Sequence, residues 1–169
     1  MTKPLPRVAD VVSLGSAEIF VTWADGAVEK VNLAGWIATG GNILAPLESD
    51  AVFNTARLGD YGASIEWGPE DGDLAIDAHH LHQLAVEQRP FMRSELIAWQ
   101  GEAGLSNQEA ADFLGVSLST WNAYKAGGPI PNPVQMVCRA SLRDPVMLHA
   151  HYRPRKPGRP PRAGQAGAA

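Results

Sequence analysis

The chain reads as an α+β protein: a small N-terminal antiparallel-sheet domain with one or two helices, followed by an all-α domain of five helices. Three observations predict this. Residues 7 to 33 alternate apolar and polar side chains around an Asp25-Gly26 turn, the pattern of a half-buried hairpin sheet. From Met92 onward, apolar residues recur at helical spacing behind Ser, Asn and Asp caps. Arg89-Pro90 lies between the two regimes, where the residue before proline is pushed out of the α region. The expected segments are therefore residues 1–90, residues 91–151 and a tail at 152–169.

Charge follows the same division. Residues 1–90 carry 13 acidic and 5 basic side chains, residues 91–150 carry 5 and 4, and residues 151–169 carry no acid and 5 bases. An acidic front should be repelled by nucleic acid and a basic tail attracted to it. The one cysteine, Cys138, excludes an intramolecular disulfide. No apolar run has the length of a membrane span, and MTKPLPRVADVV lacks a signal-peptide core. A cytoplasmic protein without membrane contact is the simplest expectation.

Along the front, Val8, Val11, Val12 and Leu14 form a first strand, Glu18 to Trp23 a second and Ala27 to Leu33 a third. Ala34 to Leu47 is Gly-rich and reads as irregular, anchored by Trp36, Ile37, Ile43 and Leu44. Asp50 is placed to cap a single turn carrying Val52 and Phe53. Gly62 to Trp67 suits a further strand, and Asp77 caps a helix from Ala78 to about Glu87.

The second half is organised around Leu105 to Gly127. Ser106-Asn107-Gln108-Glu109 is a Ser-x-x-Glu capping box. Ala110, Ala111, Phe113 and Leu114 give the helix behind it an apolar face, and Gly115 supplies a left-handed C-terminal residue. Ser117 caps the next helix, residues 118–126, with Val116 and Trp121 at the spacing of a hydrophobic staple. Ala111 belongs where the helices cross closely, and Trp121 and Tyr124 face inward. Two short helices joined this tightly form a helix-turn-helix. Further on, Asn132-Pro133 and Asp144-Pro145 each combine a cap with proline at the first turn. Cys138 reads as a small buried hydrophobe.

This stretch resembles the helix-turn-helix of lambda-repressor-like (Xre-type) regulators, most closely over LSNQEAADFLGVS. The resemblance implies a five-helix domain that binds double-stranded DNA, and a homodimer is expected because one short recognition helix binds weakly and two half-sites multiply it. Helix 118–126 would read the major groove through Ser117, Leu118, Ser119, Thr120, Asn122 and Lys125, with Gln108 on the preceding helix. Trp121 stands where the family usually has Ile or Val, which implies local repacking. Leu118 replaces a frequent Arg or Gln and removes one strong base reader.

Residues 5 to 90 resemble a second group, the bacterial domain-of-unknown-function family twenty-four forty-two. The matching features are the Asp25-Gly26 hairpin, the Phe53 turn, the Ser64-Ile65-Glu66-Trp67 strand and Asp73 to Ile76. That resemblance implies an antitoxin-like alternative, in which residues 1–90 hold a small protein partner and DNA binding serves autoregulation. In the tail, Pro157-Gly158-Arg159-Pro160 resembles an AT-hook, with Pro157 where the usual Arg precedes Gly. Arg159 would enter a minor groove; otherwise the tail is a solvated basic segment, expected to be disordered when free.

Enzymatic chemistry finds no support. His79 and His82 are three apart on a helix, but no further Cys or His stands at zinc spacing. Ser13 and Ser16 lack a nucleophile context, and Gly40-Gly41-Asn42 lacks the Lys-Ser/Thr of a phosphate loop. No cofactor or metal is expected. The sequence thus points to a sequence-specific DNA-binding protein, a transcriptional regulator.

Overall fold

The computed structural model describes residues 4–156. The chain divides into two compact units, Met1–Arg89 and Pro90–Ala169. The first is mixed α+β and the second helical.

In the first unit, β1 (Val8–Gly15), β2 (Glu18–Trp23) and β3 (Val28–Asn32) form an antiparallel sheet in that order. Alternation decides its faces. Ile19, Val21, Val31 and Leu33 are wholly buried on the inner side. The β2–β3 hairpin turns at Gly26, whose φ is 87°. Two non-glycine residues, Ser16 (φ 51°) and Ala17 (φ 61°), make the β1–β2 turn. A second sheet joins β4 (Arg57–Leu58), β5 (Ser64–Glu66) and β6 (Ala75–Asp77). Its Ile65 and Ile76, with Trp67, enter the same core.

The stretch expected to be irregular is helical. It forms α1 (Ala34–Thr39), α2 (Gly41–Leu44) and a 3-10 turn at Ala45–Glu48. Ile37, Leu44 and Leu47 are buried there, a helical spacing that the interspersed glycines obscured. Asp50 does not cap α3 (Asp50–Phe53); that position falls to Ser49, and the Asp50 carboxylate accepts the Ser16 N–H at 3.1 Å. It braces the strained β1–β2 turn. With α4 (Ala78–Gln88) there are four α-helices among the described residues of the unit, not one or two. Asp77 caps α4 as expected, accepting the His80 N–H at 2.9 Å. At the other end, the Gln88 amide accepts the Asn32 N–H at 2.8 Å and donates to the Asn32 carbonyl at 2.7 Å. One side chain thus satisfies both backbone groups of Asn32, at the end of the open edge of β3.

Among its described residues the second unit has the five helices expected: α5 (Arg93–Ala103), α6 (Asn107–Leu114), α7 (Leu118–Lys125), α8 (Asn132–Arg143) and α9 (Pro145–His151). Leu96, Trp99, Ala110, Ala111, Trp121 and Cys138 are its most deeply buried members. Asp144 caps α9 through the Val146 N–H at 3.0 Å. Helix α8 starts one residue earlier than expected: Pro131 is the cap residue and Asn132 makes no side-chain cap. No helix among the described residues is long and apolar enough to cross a membrane.

Gly62 is the one glycine on which the first unit turns. Its φ is 66°, and a β-carbon there would lie 2.1 Å from the Val8 carbonyl oxygen. That carbonyl belongs to backbone and cannot swing away. Gly62→Ala should cost about 2–4 kcal/mol from left-handed strain plus overpacking. Denaturant unfolding of the full chain checks this; an unchanged first-unit transition would show that β1 and the Gly62 turn are not in contact.

Candidate nucleic-acid interface

Helix α6 begins with a reciprocal cap. Ser106 Oγ accepts the Glu109 N–H at 3.3 Å, and Glu109 Oε2 accepts the Ser106 N–H at 2.9 Å. Gly115 ends the helix at φ 68°. The Val116 N–H then returns to the Ala111 carbonyl at 3.0 Å, closing the turn. Ser117 Oγ accepts the Thr120 N–H at 3.1 Å and starts α7. Ala110, Ala111 and Trp121 are wholly buried, so the second helix lies close against the first.

Trp121 is also a polar anchor. Its indole N–H donates to Asn107 Oδ1 at 3.1 Å. The same oxygen accepts from Gln100 Nε2 at 2.9 Å and from Lys125 Nζ at 3.0 Å. Lys125 donates further to Gln100 Oε1 at 3.2 Å, and its ammonium lies 5.9 Å from the Trp121 ring centre. This clasp joins α5, α6 and α7 through one amide. Gln100 and Asn107 were not among the residues singled out from sequence. A signal did exist: a buried indole N–H needs a partner, and Trp121 had to find one.

The remaining expected site residues divide by environment. Leu118, Ser119 and Asn122 are exposed on α7, and neither Ser119 nor Asn122 makes a side-chain hydrogen bond within the described residues. Ser117 is exposed but its hydroxyl serves the cap, shared with Thr120 Oγ1 at 2.9 Å. Thr120 is half-buried. Gln108 donates to Asp112 Oδ1 at 3.0 Å. Lys125, expected to face outward, is half-buried and held in the clasp. The outward strip of α7 is therefore uncharged. Arg159 lies outside the described residues.

The start of the expected disordered tail is docked. The Tyr152 hydroxyl donates to Glu109 Oε1 at 3.0 Å, and the Arg155 N–H reaches the same oxygen at 2.9 Å. The Arg155 guanidinium pairs with Asp112 at 2.8 Å. Glu109 thus accepts from both the cap and the C-terminal segment. The Arg155 and Ser106 N–H groups, with the Ser106 hydroxyl, pull its pKa down to about 2. Arg155, and then Gln108, lower Asp112 as well, while Glu109 raises Tyr152. Burial pushes the Cys138 thiol up to about 12, which removes it as a nucleophile at neutral pH. Among the described residues no group of three or more His, Cys, Asp or Glu is placed to hold a metal ion.

No family model and no curated protein matches the chain. A solved structure from Nitrosomonas europaea ATCC 19718, NE0471, titled a "putative DNA binding protein", is a distant neighbour. It is 23% identical with a TM-score of 0.45, over 84% of this chain and 90% of that one. So distant a likeness leaves the function of this chain to its own side chains.

The Glu109 geometry sets an acid response. A carboxylate with a lowered folded pKa adds stability above its unfolded value near 4.5 and loses it as pH falls toward about 2. Glu109→Gln should lower the melting temperature of the second unit at neutral pH. It should also flatten the decline between these pH values. Thermal melts of parent and variant across this range check it; parallel curves would mean that Glu109 is not held by the Tyr152–Arg155 segment.

Proposed function

We propose that the second unit binds duplex DNA with α7 in the major groove, and that the chain acts as a transcriptional regulator. The observation that carries this is the pairing of Ser119 and Asn122. Both are exposed and without side-chain partners, on a short helix whose pose is fixed by two caps, a left-handed glycine and the Asn107 clasp. A side chain that reads bases must be free to bond while its backbone is not free to move. Asn122 has the donor and acceptor pair that matches adenine in the major groove, and Leu118 offers apolar contact to a thymine methyl.

Attraction to phosphate comes from outside α7. Residues 91–156 hold seven basic and five acidic side chains. The cations of the unit outside α7, namely Arg93, Arg139, Arg143, Arg153, Arg155 and Lys156, would meet the backbone of a duplex. An uncharged reading strip with its cations elsewhere separates sequence choice from salt-dependent affinity.

The test uses the full chain on an array of double-stranded sequences, followed by titration of the best site and its single-base variants. Asn122→Ala should lose about 1–3 kcal/mol of discrimination at one base position, with the melting temperature and the salt slope unchanged. Equal relative affinities of parent and variant across the panel would remove Asn122 from the reading face. Absence of duplex binding by the parent would end the proposal.

A further inference from the structure

In the first unit, a cavity of about 630 Å³ is lined by the Pro4-Leu5-Pro6-Arg7 segment, the β2–β3 turn and side chains of α4. That volume lies within the roughly 300–1,000 Å³ of sites that take small organic ligands. One wall is aromatic and fixed. Trp23 is 4% exposed and meets His82 edge to face, with ring centres 5.2 Å apart. The Trp23 indole N–H donates to Glu29 at 2.6 Å, and Glu29 accepts in turn from Nε and Nη2 of Arg89. The orientation of the indole is therefore set before any ligand arrives. A second wall is stiff for a different reason. Pro4 and Pro6 have ring-locked φ, so Leu5 is carried on a segment with little freedom, and it stays 67% exposed.

The charges that line the cavity are Arg7, Asp25 and Arg89, beside His79 and His82. Arg89 is balanced by Glu29, which it holds below the usual carboxylate range. Asp25 accepts the Ala27 N–H at 3.0 Å within its own turn. Arg7 differs from both. Its carbonyl accepts the Ala24 N–H at 2.9 Å, which pins the backbone, while its guanidinium has no hydrogen bond or ion pair within the described residues. Residues 1–90 hold 13 acids and 5 bases. An arginine left without a carboxylate in so acidic a unit, beside an apolar wall, points to an anion from outside.

One guanidinium matches one carboxylate through two parallel hydrogen bonds. A phosphate would bring a second negative charge into a cavity that Asp25 also lines, with Arg89 already balanced. We propose that this cavity binds a small aromatic carboxylate, its anion on Arg7 and its ring against Trp23, His82 and Leu5. The site lies wholly within the first unit and does not rest on the DNA-binding reading. One ion pair and one ring correspond to a Kd of about 10 µM to 1 mM.

Titration calorimetry of the full chain with benzoate, indoleacetate and naphthoate tests this, with NMR spectra that report the Trp23 indole N–H. At least one acid should bind in that range and move the Trp23 signal. Its neutral amide, of nearly the same shape, should bind about fivefold more weakly or worse. Arg7→Gln should weaken the acid by a similar factor and leave the amide unchanged. Leu5→Ser should weaken both. Arg7 and Leu5 are exposed, so both variants should keep the parental melting temperature, which circular dichroism checks. The proposal is overturned if none of the three acids binds below roughly 1 mM, or if acid and amide bind equally. It is equally overturned by an unmoved Trp23 signal or by parental affinity of Arg7→Gln for the acid. No measurement here involves DNA, so failure leaves the DNA-binding proposal untouched.

Discussion

A buried carboxylate must be hydrogen-bonded or it will not stay charged, and the second unit is built on that constraint. Glu109 is 9% exposed. It accepts the Ser106 N–H, the Tyr152 hydroxyl and the Arg155 N–H. Three donors replace the water it has lost. Two of them come from a segment more than forty residues away in sequence, so the cap of one short helix also fixes where the chain goes after its last helix. An eight-residue helix such as α6 has little stability alone; packing and capping must supply it.

The Asn107 clasp performs the parallel task for α7. Its oxygen accepts from three side chains on two neighbouring helices, Gln100 of α5 and Trp121 and Lys125 of α7. Holding Lys125 inward costs the outer strip of α7 its only cation. In return, the ammonium adds a charge-assisted bond to a network that already carries the Trp121 indole. Rigidity of α7 and neutrality of its outer strip thus have one cause.

Local chemistry was legible in the sequence. The caps at Asp77, Ser106, Ser117 and Asp144 and the turns at Gly26 and Gly115 all depend on residues within four positions of one another. The hairpin sheet and the five helices followed from them. Less local features were not legible. Helices α1 and α2 are held by burial of Ile37 and Leu44 against the sheet core, which outweighs a glycine-rich composition. Lys125 turns inward because Asn107 and Gln100, 18 and 25 residues earlier, offer it acceptors. Tyr152 to Arg155 are ordered by Glu109 and Asp112, and no composition rule for tails can see that. Of the expected site, Ser119, Asn122 and Leu118 remain exposed, while Gln108, Ser117, Thr120 and Lys125 carry structural bonds.

Under the DNA-binding proposal, specificity and affinity have separate sources. An uncharged strip of three or four side chains on α7 would give modest specificity, and cations outside α7 would supply a salt-dependent affinity shared by every sequence. The first unit is acidic, so it would be repelled by a duplex and, under the same proposal, leave that contact to the second unit.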